Sequence, residues 1–84
     1  MNRIAWTRKA VKQLLKLHSR HQVQIRDAIT RLEEMPNVVN VKNLANHAYG
    51  YRLRVGDYRV LFDWDGGIKI VSIQEIKKRD ERTY

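Results

Sequence analysis

The 84 residues of this chain are enough for one small domain, which we expect to span residues 1–84. Lysine and arginine number 17 against 9 aspartates and glutamates, so the formal net charge of +8 favours a polyanion, an acidic protein or an anionic membrane as a partner. Cysteine is absent, which excludes a disulfide scaffold, a thiol nucleophile and a Cys-ligated zinc site. The hydrophobic content of 43% argues against disorder.

The sequence also lacks the signals of a membrane protein and of a metalloprotein. No apolar run approaches the roughly 20 residues that cross a bilayer, and the N-terminal segment has no apolar signal core. We therefore expect a cytoplasmic protein without a membrane partner. The histidines and carboxylates show no metal-ligand spacing and there is no glycine-rich phosphate loop, so we expect neither a metal nor another cofactor.

The first half of the chain predicts a short strand followed by two helices. Asn2 to Trp6 is the predicted opening strand, and Thr7 is the predicted N-cap of the first helix. Ser19 and Gln22 have the spacing of a capping box, which predicts the start of the second helix, and Pro36 marks its end. With almost no loop between them, the helices form an antiparallel αα-hairpin. Helical spacing predicts one apolar stripe on each helix: Val11, Leu14, Leu15 and His18 on the first, then Ile25, Ala28, Ile29 and Leu32 on the second.

A row of basic residues follows the opposite face of the first helix. Its members, at helical intervals, are Lys9, Lys12, Lys16 and Arg20. No acidic residue occurs between Met1 and Gln22 to pair with them. The row is either a solvated helix face or an electrostatic footprint for a phosphate backbone.

The second half of the chain predicts strands. They are Val38 to Leu44, Tyr51 to Val55, Tyr58 to Asp63 and Ile68 to Ile76. Gly56-Asp57 and Asp65-Gly66-Gly67 are the turn signals between the last three. Helices followed by strands indicate an α+β domain with an antiparallel sheet.

The turn at Gly56-Asp57 determines which side chains share a face of the sheet. Gly-x suits a two-residue type II′ turn, which places Arg54 opposite Arg59. Since side chains alternate between faces, one face collects an apolar set of Tyr51, Leu53, Val55, Tyr58, Val60, Phe62, Val71 and Ile73. The other face collects Arg52, Arg54, Arg59, Leu61, Ser72 and Gln74.

This second face is the predicted functional surface. Arg54 opposite Arg59 is a like-charge cross-strand pair, and such a pair lowers stability by about 0.2–1 kcal/mol. A phosphate bound between the two guanidinium groups would remove this repulsion. The alternative is an open surface whose arginines pair with Asp57, Asp63 or Glu75. His47, in the loop before the arginine strand, is able to face a bound phosphate and to exchange a proton near neutral pH.

The C-terminal segment from Lys77 to Tyr84 is rich in basic residues. It is either a frayed charged terminus or a nucleic-acid contact. In a nucleic-acid contact the ring of Tyr84 would stack on a base, while Lys77, Lys78 and Arg82 would hold phosphates.

The segment YRLRVGDYRVLF, followed by a strand and by the tail IKKRDERTY, resembles the RelE/ParE superfamily of bacterial toxin–antitoxin toxins, and most closely its RelE-like branch. The opening strand, the αα-hairpin and the length also fit, so the resemblance covers nearly the whole chain. It implies an α+β fold in which an N-terminal strand and an αα-hairpin pack on a twisted, mainly antiparallel sheet. It implies a metal-independent mRNA endoribonuclease, an mRNA interferase that cuts mRNA in the ribosomal A site and inhibits translation. The implied partners are a cognate antitoxin, mRNA, ribosomal RNA and, through the antitoxin, operator DNA.

The resemblance also implies roles for single residues. Arg52 and Arg54 lie where such enzymes often carry lysines, and Arg59 matches an arginine of the next strand. Arg79 matches the arginine near the end of the last strand, with Arg82 as the alternative because the tail alignment is loose by about one residue. Tyr84 matches the C-terminal tyrosine. RNA and ribosome contacts are expected from Lys9, Lys12, Lys16, Arg20, Lys77, Lys78 and Arg82.

In such enzymes an RNA 2′-hydroxyl attacks its neighbouring phosphate. Arg54, Arg59 and Arg79 would stabilise the negative charge that develops on that phosphate. Arginine stays protonated in proteins and is therefore a poor general base. The base is left open among His47, Tyr84 and a water held by the phosphate.

Two other functions are compatible with the same scaffold. A ParE-like toxin would inhibit gyrase without catalysis, and DNA damage without mRNA cuts would identify it. A binding-only protein would act as a corepressor with its antitoxin and would not inhibit growth. Arg54, Arg59, Arg79 and Tyr84 argue against the ParE-like function, whereas the basic first helix and the net charge permit the binding-only one.

Overall fold

A five-stranded sheet carries two helices on one face in the computed structural model, which describes residues 1–79. The elements are β1 (Arg3–Trp6), α1 (Arg8–Leu15), α2 (Ser19–Thr30), a 3₁₀ turn (Arg31–Glu34), β2 (Val41–Asn43), β3 (Tyr51–Val55), β4 (Tyr58–Asp65) and β5 (Ile70–Lys78). The strand order is β1-β5-β4-β3-β2, and β1 runs parallel to β5 while the other pairs are antiparallel. The predicted α+β fold, with an N-terminal strand and an αα-hairpin on a mainly antiparallel sheet, is confirmed. No helix in the described part of the chain is long and apolar enough to span a bilayer.

Thr7 joins the start of α1 to the middle of the sheet. Its backbone N–H and its hydroxyl both donate to the Ile73 carbonyl, at 3.1 and 2.8 Å. The same hydroxyl accepts from the Ala10 N–H at 3.2 Å, so the predicted N-cap is confirmed. One helical turn after Ala10, the Gln13 side-chain oxygen Oε1 accepts a hydrogen bond from the Ile76 N–H at 2.7 Å. These bonds determine which side of α1 faces β5.

The apolar stripe predicted for α1 is wrong at three of its four positions. The buried residues of the helix are Ala10 and Leu14, whereas Val11 and Leu15 are 38% and 65% exposed. The contacts of Thr7 and Gln13 with β5 rotate the helix so that its Ala10 side faces the sheet. His18 lies outside α1, because the helix ends at Leu15.

The second helix begins at Ser19 as predicted, but the capping box is wrong. The N-cap is His18, whose Nδ1 accepts from the Arg20 N–H at 3.2 Å, while the Gln22 side chain donates to the Leu17 carbonyl at 2.8 Å. Arg20 therefore belongs to α2 and does not continue the basic row of α1. The apolar stripe predicted for this helix is confirmed, with Ile25 and Ile29 buried, Ala28 packed beside them and Leu32 buried in the 3₁₀ turn.

The β3–β4 hairpin has the predicted register. Tyr51 pairs with Phe62, Leu53 with Val60, and Arg54 with Arg59. Gly56 has a φ of +54°, and Asp57 has no positive φ, which is the pattern of a type II′ turn. The apolar face of this hairpin packs against the helices, and its members Leu53, Val55, Tyr58, Val60 and Phe62 are buried.

A β-bulge changes the register of β4 and β5 between Leu61 and Phe62. Phe62 pairs with Ile73, so Val71 and Ile73 lie on the apolar face and Ser72 lies opposite Asp63, as predicted. Beyond the bulge, Leu61 pairs with Glu75 and Arg59 with Lys77. The bulge turns Ile76 into the core and brings Glu75 and Lys77 to the arginine face, which uninterrupted alternation does not predict.

Four of the five strands differ from their predicted bounds. β1 begins at Arg3 and not at Asn2, and β4 ends at Asp65 and not at Asp63. The strand expected over Val38 to Leu44 is only Val41–Asn43, because the chain turns at Pro36 to Val38 and Asn40 adopts a φ of +65°. The last strand is Ile70–Lys78 and not Ile68 to Ile76, since the connection to β4 has four residues, 66–69. The short β2 still pairs with β3 and places Lys42 opposite Arg52.

Gly56→Ala should lower the free energy of unfolding by about 1–2 kcal/mol, because an L-residue is strained at this positive φ. An added Cβ would also lie 3.2 Å from the Gln24 amide nitrogen. Urea denaturation of the full chain measures the change. Asp57→Ala, at the turn position without a positive φ, is the control and should change the value by less than about 0.5 kcal/mol. Equal effects of the two variants would contradict the assigned turn.

Candidate functional site

Strand pairing arranges the cations of the arginine face in two rows that cross the sheet. One row joins β3, β4 and β5 and consists of Arg54, Arg59 and Lys77. The other row begins on β2 and consists of Lys42, Arg52, Leu61 and Glu75. Because neighbouring strands are only about 4.8 Å apart, each row holds like charges close together.

The largest concentration of positive charge surrounds a cleft of about 280 Å³, which we call the arginine cleft. Its lining residues are Lys42, Arg52, Arg54, Gly56, Tyr58, Arg59 and Arg79. Arg79 reaches the cleft because its backbone N–H donates to the Asp57 carbonyl, at 2.6 Å, beyond the end of β5. Within residues 1–79 no acidic side chain lines this cleft. The arrangement suits an anion with several oxygens, such as a phosphate diester.

A smaller pocket of about 170 Å³ adjoins the arginine cleft, and we call it the leucine pocket. It is lined by Leu44, His47, Arg52, Arg59, Leu61 and Lys77. Arg52 and Arg59 line both spaces, so the two spaces lie side by side. The structure therefore places His47 beside two of the predicted site arginines.

The loop that carries His47 is held by a short set of hydrogen bonds. The Leu44 N–H donates to the Gly50 carbonyl at 2.9 Å, and the Gly50 N–H donates to the Asp63 Oδ1 at 2.8 Å. The His47 Nδ1 accepts from the Tyr49 N–H at 3.1 Å. In the neutral ring this contact assigns the proton to Nε2, which then donates a hydrogen bond and does not accept one. The lone pair that could accept a proton, on Nδ1, is already bonded to the Tyr49 N–H, and this disfavours His47 as a general base.

The carboxylates on this face have partners other than Arg52 and Arg54. The Asp63 oxygens accept from the Gly50 N–H and, at 3.1 Å, from the Gln74 side-chain amide. Glu75 lies 3.4 Å from the Lys9 ammonium and 3.9 Å from that of Lys77. In the described part of the chain no ion pair links Asp57, Asp63 or Glu75 to Arg52 or Arg54. For Arg52 and Arg54, the alternative in which the arginines of this face pair with internal carboxylates is therefore not observed within residues 1–79.

The basic residues of α1 form a separate groove of about 440 Å³. Its lining residues are Arg8, Lys9, Lys12, Gln13 and Lys16. Glu75 connects it to the arginine face, because its carboxylate lies between Lys9 and Lys77. Arg20 is in the first turn of α2, and Lys78 is opposite Tyr58 at the end of β5, so neither lines the groove or the cleft. Arg82 and Tyr84 lie outside the described residues.

Comparison with known proteins identifies the family. The sequence model described as "ParE toxin of type II toxin-antitoxin system, parDE" matches residues 4–83, which is nearly the whole chain. The chain belongs to the RelE/ParE superfamily of type II toxins. A search of curated proteins found no significant match.

Solved structures similar to this toxin carry the RelE name. The toxin is 27% identical to a chain of the archaeal RelE–RelB complex from Pyrococcus horikoshii, with a TM-score of 0.79 and coverage of 95% of this chain and 97% of that one. It is 26% identical to a chain of the RelBE2 toxin–antitoxin complex from Mycobacterium tuberculosis, with a TM-score of 0.80 and coverage of 93% and 98%. The isolated E. coli RelE toxin shares the fold, with a TM-score of 0.79 at 17% identity, covering 96% of this chain and 87% of that one.

The sequence analysis did not predict that Lys42 lines the arginine cleft or that Lys77 lines the leucine pocket. Alternation along β2 was the available signal for Lys42, since Val41 packs against the core and its neighbour must face the other way. For Lys77 the signal was the spacing of Val71, Ile73 and Ile76, which breaks the period of two and is typical of a bulge.

Arg54→Gln should raise the free energy of unfolding of the ligand-free toxin at low salt by roughly 0.2–1 kcal/mol, because it removes the repulsion with Arg59. Inorganic phosphate should raise the melting temperature of the wild type more than that of the variant, because an anion stabilises the state that binds it. Thermal unfolding with and without phosphate measures both effects. Arg26→Gln, an exposed change on α2, is the charge-matched control. Equal phosphate effects in the wild type and in Arg54→Gln would contradict an anion site in the arginine cleft.

Proposed function

We propose that this toxin is a metal-independent mRNA endoribonuclease that acts in the ribosomal A site and inhibits translation in the cytoplasm. The observation that carries the proposal is the arginine cleft, where Arg54, Arg59 and Arg79 surround a space suited to a phosphate. The cluster includes the like-charge pair of Arg54 and Arg59, whose mutual repulsion a bound phosphate would relieve. The resemblance to RelE-like enzymes supplies the reaction that such a cluster suits.

The reaction is an internal transfer within the RNA. The 2′-hydroxyl oxygen attacks the adjacent phosphorus, the bond from phosphorus to the 5′-oxygen breaks, and a 2′,3′-cyclic phosphate forms. The proton that leaves the 2′-hydroxyl is balanced by a proton that reaches the 5′-oxygen. The phosphate gains negative charge on the way, and Arg54, Arg59 and Arg79 stabilise that charge with fixed guanidinium donors. Arg52, which lines both spaces, holds the phosphate of the neighbouring nucleotide.

Lys42 joins the candidates for the general base. It lines the arginine cleft opposite Arg52, whereas the hydrogen bond at the His47 Nδ1 disfavours that ring as a base. Unlike arginine, lysine can lose its proton, and its neutral amine can then act as a general base. Lys77 is less suited, because it lines the leucine pocket and lies 3.9 Å from the Glu75 carboxylate, whereas Lys42 lines the arginine cleft itself. Stacking of the Tyr84 ring on an RNA base stays a prediction.

The groove on α1 is the proposed contact with ribosomal RNA. Lys9, Lys12 and Lys16 line it together with Arg8, and a helix with this charge density binds phosphates without sequence readout. Lys77, Lys78, Arg82 and Arg20 are proposed as further RNA contacts. Glu75 keeps Lys9 and Lys77 close to each other, so the basic surface continues from the groove to the cleft.

A cognate antitoxin is the proposed protein partner. The structures from P. horikoshii and M. tuberculosis are complexes of RelE-type toxins with their antitoxins. A net charge of +8 on a chain of 84 residues favours an acidic antitoxin segment, because opposite charge accelerates association. Operator DNA is reached through the antitoxin.

Arg59→Ala should lower the rate of ribosome-dependent mRNA cleavage by about 10²–10³-fold, because the transition state loses one charged donor. Purified ribosomes programmed with one message, analysed by primer extension, measure the rate and locate the cuts. Arg26→Ala removes an exposed positive charge on α2 and is the matched control, which should cleave at the wild-type rate. Circular dichroism and antitoxin binding confirm that both variants fold. A folded Arg59→Ala toxin that cleaves normally would exclude the assigned site.

The variants Lys42→Arg and Lys42→Ala test whether Lys42 acts as a general base or only as a positive charge. If Lys42 accepts the 2′-hydroxyl proton, both variants should lower the single-turnover cleavage rate by about 10²-fold or more. The affinity for mRNA-programmed ribosomes should fall only in Lys42→Ala, since arginine keeps the charge. Full activity of Lys42→Arg would assign Lys42 to charge stabilisation alone.

Gyrase inhibition is the second candidate function, because the matching family model is that of the ParE toxin. It predicts that the purified toxin blocks DNA supercoiling by gyrase, that induction causes DNA damage, and that mRNA stays intact on ribosomes. Supercoiling and cleavage reactions with the same toxin preparation distinguish the two functions. Inhibition of supercoiling without mRNA cuts would exclude the nuclease.

A further inference from the structure

Leu61 is an apolar residue on the charged face of the sheet. It is only 5% exposed, yet it lies in the row formed by Lys42, Arg52 and Glu75 and is not part of the main core. Leu44, at the start of the 44–50 loop, lines the same pocket. Leu61 thus forms a largely buried apolar floor, and the half-buried Leu44 adds apolar surface at the side of the pocket.

Hydrogen bonds hold the loop that forms one wall of the leucine pocket. The bond between the Leu44 N–H and the Gly50 carbonyl closes the loop, and Asp63 anchors Gly50 to β4. The other Asp63 oxygen accepts from Gln74, which is the residue of β5 at the bulge. A pocket whose walls need no rearrangement loses little entropy when a ligand binds.

The residues that line the pocket suit a nucleotide as the ligand. Phosphate gains nothing from the two leucine side chains, whereas a nucleobase buries its apolar faces against them and against the His47 ring. Arg52 and Arg59, which line both spaces, are suited to hold the phosphate oxygens next to that base. The ligand that fits both spaces therefore has an anionic group next to a flat, weakly polar ring.

We propose that the leucine pocket binds the nucleobase of single-stranded RNA next to the phosphate held in the arginine cleft. This inference rests on the proposed function for the identity of the substrate, but not on catalysis. An antitoxin side chain is the competing occupant. The continuity of the pocket with the arginine cleft favours RNA, because each repeating unit of RNA presents a base and a phosphate together.

The test compares two trinucleotides with 2′-O-methyl riboses, which block cleavage. One carries three bases, and the other is abasic with the same phosphates. The full-length wild-type toxin should bind the first about five- to tenfold more tightly at low salt, because base contacts add to the phosphate contacts. Leu44→Ala should reduce this preference to less than about twofold and leave the affinity for the abasic oligonucleotide unchanged. Ile68→Ala removes the same number of carbons from an exposed turn and should retain the preference.

Methyl NMR spectra of the wild type give a second measurement that needs no variant. The trinucleotide with bases should shift the Leu44 and Leu61 methyl signals, and the abasic one should not. Equal binding of both oligonucleotides by the wild type, or an equal loss of both in Leu44→Ala, would overturn the proposal. It would also be overturned if Leu44→Ala weakened binding of an acidic leucine-containing peptide and left the base preference intact.

The same reagents separate this inference from the nuclease proposal. A base preference that depends on Leu44, in a toxin that does not cut mRNA on ribosomes, supports the pocket and overturns the nuclease. Normal cleavage by a wild-type toxin without base preference overturns the pocket and supports the nuclease.

Discussion

The register between β3 and β4 is the constraint on which the candidate site depends. It places Arg54 opposite Arg59, an arrangement that electrostatics opposes by about 0.2–1 kcal/mol. On the other face of the same two strands, Leu53, Val60 and Phe62 are almost fully buried, and burial of each such side chain contributes about 1.5–3 kcal/mol. Burial therefore outweighs repulsion, and the core holds the guanidinium groups together without a bound anion.

The bulge between β4 and β5 completes the surface. It leaves Val71 and Ile73 in the core, and it adds Ile76 by shifting the strand one residue out of alternation. The same shift turns Lys77 toward Arg59 and Glu75 toward Leu61. One local irregularity thereby increases the buried apolar area and extends the row of cations to a third strand.

The arrangement separates two tasks that RNA cleavage requires. Arginines hold phosphate oxygens and stabilise developing charge, but they are poor proton acceptors. In the proposed reaction, proton transfer therefore needs a different side chain, and the pairing of β2 with β3 brings Lys42 to the cleft as a candidate. In the proposed base pocket, Leu61 on β4 and Leu44 in the loop after β2 would contact the base beside the phosphate.

The alternating residues around Gly56-Asp57 were sufficient to predict the hairpin, its faces and the arginine cluster, because a two-residue turn leaves only one register. The stripe of α2 and the N-cap at Thr7 were equally readable, since both depend on neighbours in the chain. Four features were not readable from the sequence: the rotation of α1, the parallel pairing of β1 with β5, the bulge and the position of Lys42. Each results from contacts between residues distant in the chain, such as Thr7 with Ile73 and Gln13 with Ile76, where packing against β5 outweighs local spacing.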